Sequence, residues 1–386
     1  MNHSMNRWAR FAPIGAIALA LAVAGCAGPG AATTSNASGQ SGPINVAIID
    51  QQSGQQSSLG AWELKGVKLA INEVNAAGGI GGRKIAFKVY DDQGDPTVAT
   101  SVARKAVSDG AIFVFGSANS GNSLAMAPIL AGAKVPSITS GQSPKLGQLQ
   151  SKFLFLNAPP STVFDETLAK YLVDTKKYKT FAMVSNNGAY GKGEHDAFLA
   201  ALKSRNITPL ADQVVTPDQK DFSALLTTIR QTHADVLFIG AEEVESGLIA
   251  KQARQLGITA VIAGGAPIGT DVYFTTAGAT AADGSVVSTP YLGNDTTDQA
   301  KKFAAAYQQA YNEAPEFHGA KAYDGANIVL EAMKATKGEG GLKLTDAIRA
   351  VKYAGLVGAF AFDENGIGVH ETKIATIQGG KEVPVS

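Results

Sequence analysis

Cysteine is nearly absent: the 386-residue chain has one, Cys26. No disulfide can close within it, and no Cys-based metal site is possible. Charge of either sign is not in excess, with 33 basic and 33 acidic residues. That balance leaves no electrostatic footprint for nucleic acid. Histidine is sparse and scattered (His3, His195, His233, His318, His370), and each is expected at a surface or helix end rather than as a ligand. No G-x-S-x-G elbow and no H-E-x-x-H motif occurs. GSANSGNS (116–123) has P-loop glycine spacing, but Asn122 stands where the phosphate-binding lysine belongs. The acids of Asp91-Asp92-Gln93-Gly94-Asp95 lack EF-hand spacing and read as a strand end with a helix cap. Catalytic residues, a resident metal and a cofactor are therefore expected to be absent. Long apolar runs are missing too. The one candidate, 11–24, falls short of the ~20 residues that a spanning helix needs.

That run has the build of a secretory signal peptide over 1–25. Arg7 and Arg10 precede it and small residues close it. Its ending, Val23-Ala24-Gly25-Cys26, resembles the lipobox of bacterial lipoproteins. The resemblance implies export, cleavage before Cys26, lipidation of Cys26 and anchoring to the outer face of a bacterial membrane. Several acyl chains would hold the protein firmly, whereas one alone binds marginally. Residues 27–42, AGPGAATTSNASGQSG, carry no charge and nothing larger than Gln. The stretch 26–42 is expected to be a lipid-anchored flexible linker.

From Ile44 onward, short apolar runs alternate with amphipathic helices. INVAIID (44–50), KIAFKVYDD (84–92), IFVFGS (112–117) and PSITS (136–140) read as strands. Between them, Gly78-Gly79 stops one helix, and Asp95-Pro96 caps another. The alternation restarts with TFAMVSN (180–186), ADQVV (211–215), DVLFIG (235–240), AVIAGG (260–265) and GSVVSTP (284–290). Helices are expected over 222–231, 248–256, 297–313 and 320–336, followed by a short β tail. The pattern predicts an α/β protein of two doubly wound parallel-sheet lobes. In such sheets ligands bind beyond the carboxyl ends of the strands, so the site belongs in the interlobe cleft.

Without its lysine, GSANSGNS can still hold a small anion. It follows a strand and opens a helix, so N–H groups near Ser120, Gly121 and Asn122 would face outward on the positive end of the helix dipole. The Ser120 hydroxyl adds a donor. Ser140, Gly141 and Gln142 follow the next strand and could accept hydrogen bonds from a ligand ammonium or amide. In the second lobe, SNNGAYGKG (185–193) presents Tyr190 among glycines. GAEEVESG (240–247) places Glu242 and Glu243 at a strand's carboxyl edge, with one of the two expected to face the cleft. Trp62 is expected in the core.

KGVKLAINEVNAAGGIGGRKI (65–85), YDDQGDPTVA (90–99), AYGKG (189–193), KDFSALLTTIR (220–230) and KQARQLG (251–257) resemble the branched-chain amino-acid-binding proteins. These are Leu/Ile/Val-binding-like receptors of ABC importers with a type 1 periplasmic-binding fold. The resemblance implies three crossovers forming a hinge, near 157–160, 288–292 and 357–360. Lobe I would comprise 43–157 with 291–357, and lobe II 158–290 with 358–386. It implies that Ser120, helped by Ala118, binds a ligand carboxylate, that Gly141 and Gln142 contact the amino-acid head, and that Tyr190 closes over it. ABC permease subunits would be the partners of a monomeric receptor. Ala266 stands where the family carries the glutamate that pairs with the ligand ammonium, and Leu59 replaces an aromatic wall. Either Glu242 or Glu243 takes over the ammonium, or the ligand has none. The expected function is uptake of a branched-chain-like amino acid or related small carboxylate. The alternative is a ligand-sensing protein for an amide, aromatic acid or polyol.

Overall fold

The computed structural model describes residues 42–54, 56–291 and 297–385. The signal peptide, Cys26 and nearly all of the linker lie outside the described residues. Gly42–Ser386 is one compact unit.

Its first sheet is five-stranded: β1 (Ile44–Asp50), β2 (Ile85–Asp91), β3 (Val114–Phe115), β4 (Ser137–Thr139) and β5 (Leu154–Leu156). The strands are parallel, in the order β2-β1-β3-β4-β5. Helices α1 (Ser57–Ala76), α2 (Pro96–Ser108), α3 (Ser120–Gly132) and α4 (Pro144–Gln148) connect them. β1 shows why both faces are covered. Val46 and Ile48 pack with Val67 and Ala70 of α1, while Ala47 and Ile49 pack with Ala99 and Ala103 of α2 and Met126 of α3. Successive strand residues point to opposite faces, so a continuous apolar run requires helices on both. Asp95 caps α2 by accepting from Thr97 N at 2.7 Å and Val98 N at 3.0 Å, with Pro96 behind it.

The second sheet repeats the plan. α5 (Ser161–Ala169), β6 (Phe181–Asn186), α6 (Ala189–Lys203), β7 (Ala211–Val215), α7 (Ser223–Thr232), β8 (Val236–Gly240), α8 (Glu243–Gln255) and β9 (Val261–Gly264) follow one another. α9 (Asp271–Ala277), α10 (Ala279–Ala282) and β10 (Val286–Thr289) complete it. The order β7-β6-β8-β9-β10 matches that of the first sheet. Leu237 and Ile239 of β8 pack on α7 and α8, whereas Val236 and Phe238 pack on α5 and α6. The chain then returns to the first lobe as α11 (Asp298–Tyr311), α12 (Phe317–Ala335) and α13 (Gly341–Ala350). Strands β11 (Lys352–Gly355), β12 (Gly358–Phe362) and β13 (Gly368–Val369) form a small antiparallel sheet. β14 (Lys373–Gln378) and β15 (Lys381–Pro384) add antiparallel strands to the second sheet's edge. Among the described residues no helix is long and apolar enough to cross a membrane.

Three particulars differ from the sequence reading. β5 was not expected, because LFL is too short to show a period. α8 begins at Glu243 rather than at 248, so its first turn carries the acids Glu243 and Glu245. The third crossover lies between Val369 and Lys373, later than 357–360. β12 and β13 stay with the first lobe, because Leu156 bridges Ile367 and Val357 and Phe360 pack on Ile328 of α12.

Candidate functional site

In each sheet the strand order reverses beside the first strand, between β1 and β3 and between β6 and β8. Loops leaving the carboxyl ends of neighbouring strands diverge there and leave a crevice. A small cavity lies at this edge. The first lobe supplies Leu59, Ala118, Asn119, Ser120, Ser140, Gly141 and Gln142, together with His318 and Lys321 of α12; the second supplies Tyr190, Glu242, Glu243 and Pro267. α12 comes this near because it crosses α1 on small residues. A Cβ on Gly66 would lie 2.2 Å from the Gly319 carbonyl oxygen.

The β3–α3 loop is more committed than its sequence suggested. Asn119 Oδ1 accepts from Gly121 N at 2.8 Å and Asn122 N at 3.1 Å. Ala118 N donates to Asp50 Oδ1 at 3.1 Å. Two of the three N–H groups expected to face a ligand, and that of Ala118 beside them, are therefore spent on the protein. What remains is the Ser120 N–H, at the head of α3, and the Ser120 hydroxyl. Ser143 N donates to Ser120 Oγ at 3.2 Å, so the hydroxyl keeps its own proton for an incoming acceptor. Gly121 is displaced from the inner cavity to a wider outer one.

Ser140 is also partly occupied. Its carbonyl accepts from Lys321 Nζ at 2.7 Å, and its hydroxyl donates to Glu63. The acceptor expected for a ligand cation already holds the chain's own. Burial pushes Lys321 down to about 8, against the attraction of Glu63 and Glu316. Glu63 is raised by burial, with Lys321 pulling the other way. Gln142 ties the lobes together, its carbonyl accepting from Ser161 N at 2.9 Å and Ser161 Oγ at 3.2 Å. Gly141 brings the loop against Ser120, since a Cβ there would lie 3.0 Å from Ser120 Oγ.

The opposite wall is acidic. Glu242 and Glu243 both line the cavity, correcting the expectation that only one would. They flank the start of α8, where the helix dipole favours negative charge. Burial and mutual repulsion hold Glu242 well above the usual carboxylate range. Burial likewise raises Glu243, with His318 opposing. Tyr190 stands beside them, 8% exposed, with its hydroxyl turned toward Glu194. Behind it Glu194 is pushed up to about 7 by burial, although Ser161 donates to it. Ala266 is not in the cavity wall. It packs with Leu69, Tyr291 and Phe317, and its neighbour Pro267 lines the cavity instead.

Sequence reading missed His318, Lys321, Glu63 and Glu194. His318 does begin a helix, but it is 7% exposed. It sits 3.0 Å from Glu316 and 3.9 Å from Glu243 of the other lobe. Trp62, expected in the core, stacks on it with ring centroids 5.9 Å apart. A usable signal was present. Glu63 falls between Leu59 and Val67 at four-residue spacing on a buried stripe, and Glu194 falls four residues after Tyr190. A charge on the buried stripe of a helix has a partner or a ligand. Among the described residues no group of three or more His, Cys, Asp or Glu is placed to hold a metal ion.

The sequence profile described as periplasmic binding protein matches residues 43–381. The chain is 33% identical to the Leu/Ile/Val-binding protein BraC3 of Rhizobium johnstonii over 294 residues, 76% of this chain and 78% of that one. It is 31% identical to the leucine-specific-binding protein of Salmonella typhimurium, over 64% of this chain and 67% of that one. Among solved structures, the branched-chain amino acid transporter substrate binding protein LivJ of Streptococcus pneumoniae, in complex with isoleucine, aligns with a TM-score of 0.82. That match has 26% identity and covers 88% of this chain and 97% of that one. An ABC transporter solute binding protein of R. palustris, in complex with benzoate, shares the fold at a TM-score of 0.82 and 20% identity, over 89% and 96% of the two chains. With two wound lobes, a cleft at both switch points and a profile match along almost the whole described body, the chain belongs to the periplasmic binding protein family.

Proposed function

We propose that this protein is an extracytoplasmic receptor that binds an α-amino acid, or a related small carboxylate, between its lobes and delivers it to ABC permease subunits. The observation that carries the reading is the division of charge across the cavity. One wall presents the Ser120 hydroxyl and N–H at the head of α3. The other presents Glu242 and Glu243, with no lysine or arginine among the described residues within ion-pair distance. A zwitterion fits this division, its carboxylate on Ser120 and its ammonium on the acids in the place of the family glutamate lost at Ala266. The relatives named for leucine, isoleucine and valine support an amino-acid ligand. The alternative, an aromatic acid, would press an apolar ring against two buried carboxylates and leave them without a partner.

The receptor acts by hinge closure and does no chemistry on its ligand. Residues 1–25 direct export, and lipid on Cys26 anchors a monomeric body through the linker. The test is thermal unfolding of the purified protein with branched-chain amino acids and with their deaminated keto acids. A ligand at 100 times its Kd stabilises by ~2.7 kcal/mol, which is roughly a few degrees at this size. Stabilisation by amino acids supports the reading. Stabilisation by keto acids alone refutes the role of the acids.

A further inference from the structure

Outside the inner cavity the cleft widens into a second, roomier one of about 470 Å³. The two share Asn119, Tyr190, Glu242 and Glu243, so one ligand can occupy both. The outer wall adds Asp218 and Glu245, and none of its described lining residues is a lysine, arginine or histidine.

Pairing the charges one by one leaves a remainder. Lys321 is answered by Glu63, and His318 by Glu316 at 3.0 Å. Glu245 accepts from Asn186 Nδ2 and Asp218 N. Among the described residues Glu242 has the amide of Gln56, and Glu243 has its own backbone N–H and His318 at 3.9 Å, which Glu316 already holds. An α-ammonium answers one of these two acids. The other, with the exposed Asp218, lines an outer cavity that has no basic side chain among its described lining residues. Tyr190 lines both cavities with a side chain more than nine-tenths buried, its hydroxyl turned toward Glu194. Apolar lining is thin for a purely aliphatic side chain, with Leu59, Ala118 and Pro267 the aliphatic members of the inner wall.

We propose that the ligand is a basic amino acid, its α-carboxylate and α-ammonium in the inner cavity and its side-chain cation among Glu242 and Asp218 in the outer one. This rests on the amino-acid reading above and names the side chain that reading leaves open. Glu242 spans the two cavities and sets the specificity.

The experiment is calorimetric titration of the purified protein with L-lysine, L-arginine, L-leucine and L-norleucine. Norleucine has the lysine side chain without its ammonium. The expected result is that lysine or arginine binds at least tenfold more tightly than norleucine. Added salt and the Glu242→Gln and Asp218→Asn variants should each shrink that ratio. If leucine or norleucine binds as tightly as both basic amino acids, the side-chain proposal is overturned and the amino-acid reading stands. If none of the four binds at millimolar concentration, both fall together.

Discussion

Replacing Lys321 by methionine tests the electrostatics of the cavity without needing a ligand. Lys321 is 2% exposed, its ammonium 2.7 Å from the Ser140 carbonyl oxygen and 4.8 Å from the Phe317 ring centroid. Burial lowers its pKa from an ordinary 10.5 to about 8. The folded state therefore gives up this proton first. Between pH 8 and 10.5 the unfolded chain still binds the proton and the folded one does not, so stability rises with pH across that window. Below pH 8 both states are charged and the slope vanishes. Each pKa unit is worth 1.36 kcal/mol, so the lysine should contribute a rise of about 3 kcal/mol over the window. Urea unfolding with linear extrapolation, at steps from pH 7.5 to 10.5, measures the effect as wild type minus Lys321→Met. Subtraction cancels the tyrosines and the other lysines that titrate in the same range. Parallel curves for the two proteins would refute the reasoning. They would mean that Glu63 and the Ser140 carbonyl repay the whole cost of burying the ammonium.

Ser120→Ala should weaken binding of a carboxylate ligand by about 1–3 kcal/mol, and titration with an amino acid and its carboxamide isolates the effect. Equal losses for both compounds would remove Ser120 from carboxylate binding. His318 behaves oppositely to Lys321. Burial alone would lower its pKa, but Glu316 and Glu243 reverse this and raise it. Its stabilisation is thus present in full below its unfolded pKa of ~6.5 and lost as pH rises through the folded value. His318→Gln should flatten that slope, and Trp62, stacked on His318, should report the titration in its emission. Gly193→Ala would bring a Cβ to 2.8 Å from Pro144 Cδ and 3.3 Å from Ser143 Cα across the lobes. It should weaken ligand binding and enlarge the ligand-bound protein in small-angle scattering. The melting temperature of the empty protein should hold or rise, because alanine exceeds glycine in helix preference by ~1 kcal/mol.

The wound sheets were legible because β1, β6 and β8 are dominated by apolar residues, with helical periods between them. The cleft followed, since loops at the carboxyl ends are fixed once strand order is known. Ser120, Gln142 and Tyr190 were legible as cavity-lining residues because they sit in those loops or at the heads of the helices that follow them. Lys321, His318 and Glu63 were not, because they lie inside helices that reach the cleft only through the α1–α12 crossing, a contact between segments far apart in sequence. The anion site was overread for a related reason. A glycine-spaced turn announces free N–H groups, but the spacing does not say that Asn119 and Asp50 will consume them. Ala266, expected at the ligand, packs in a core cluster instead. The residue one step on, Pro267, faces the cavity.

The same charges bear on why the lobes would close only on the right ligand. In an empty closed cleft, Glu242 and Glu243 are taken out of water with no cation to meet them, and their raised pKa values reflect that cost. In an open cleft both regain water. A ligand shifts such an equilibrium only by its differential affinity for the two states. On the proposed reading the ammonium supplies most of that difference, since it is worth more against desolvated acids than against hydrated ones. The carboxylate site contributes less, because Ser120 belongs to one lobe and is available in either state. It follows that an amine lacking the carboxylate should still favour closure, while a carboxylate lacking the amine should bind the first lobe and leave the cleft open. Small-angle scattering with each compound at saturation separates the two behaviours, and closure by the keto acid would show that the acids do not govern the hinge.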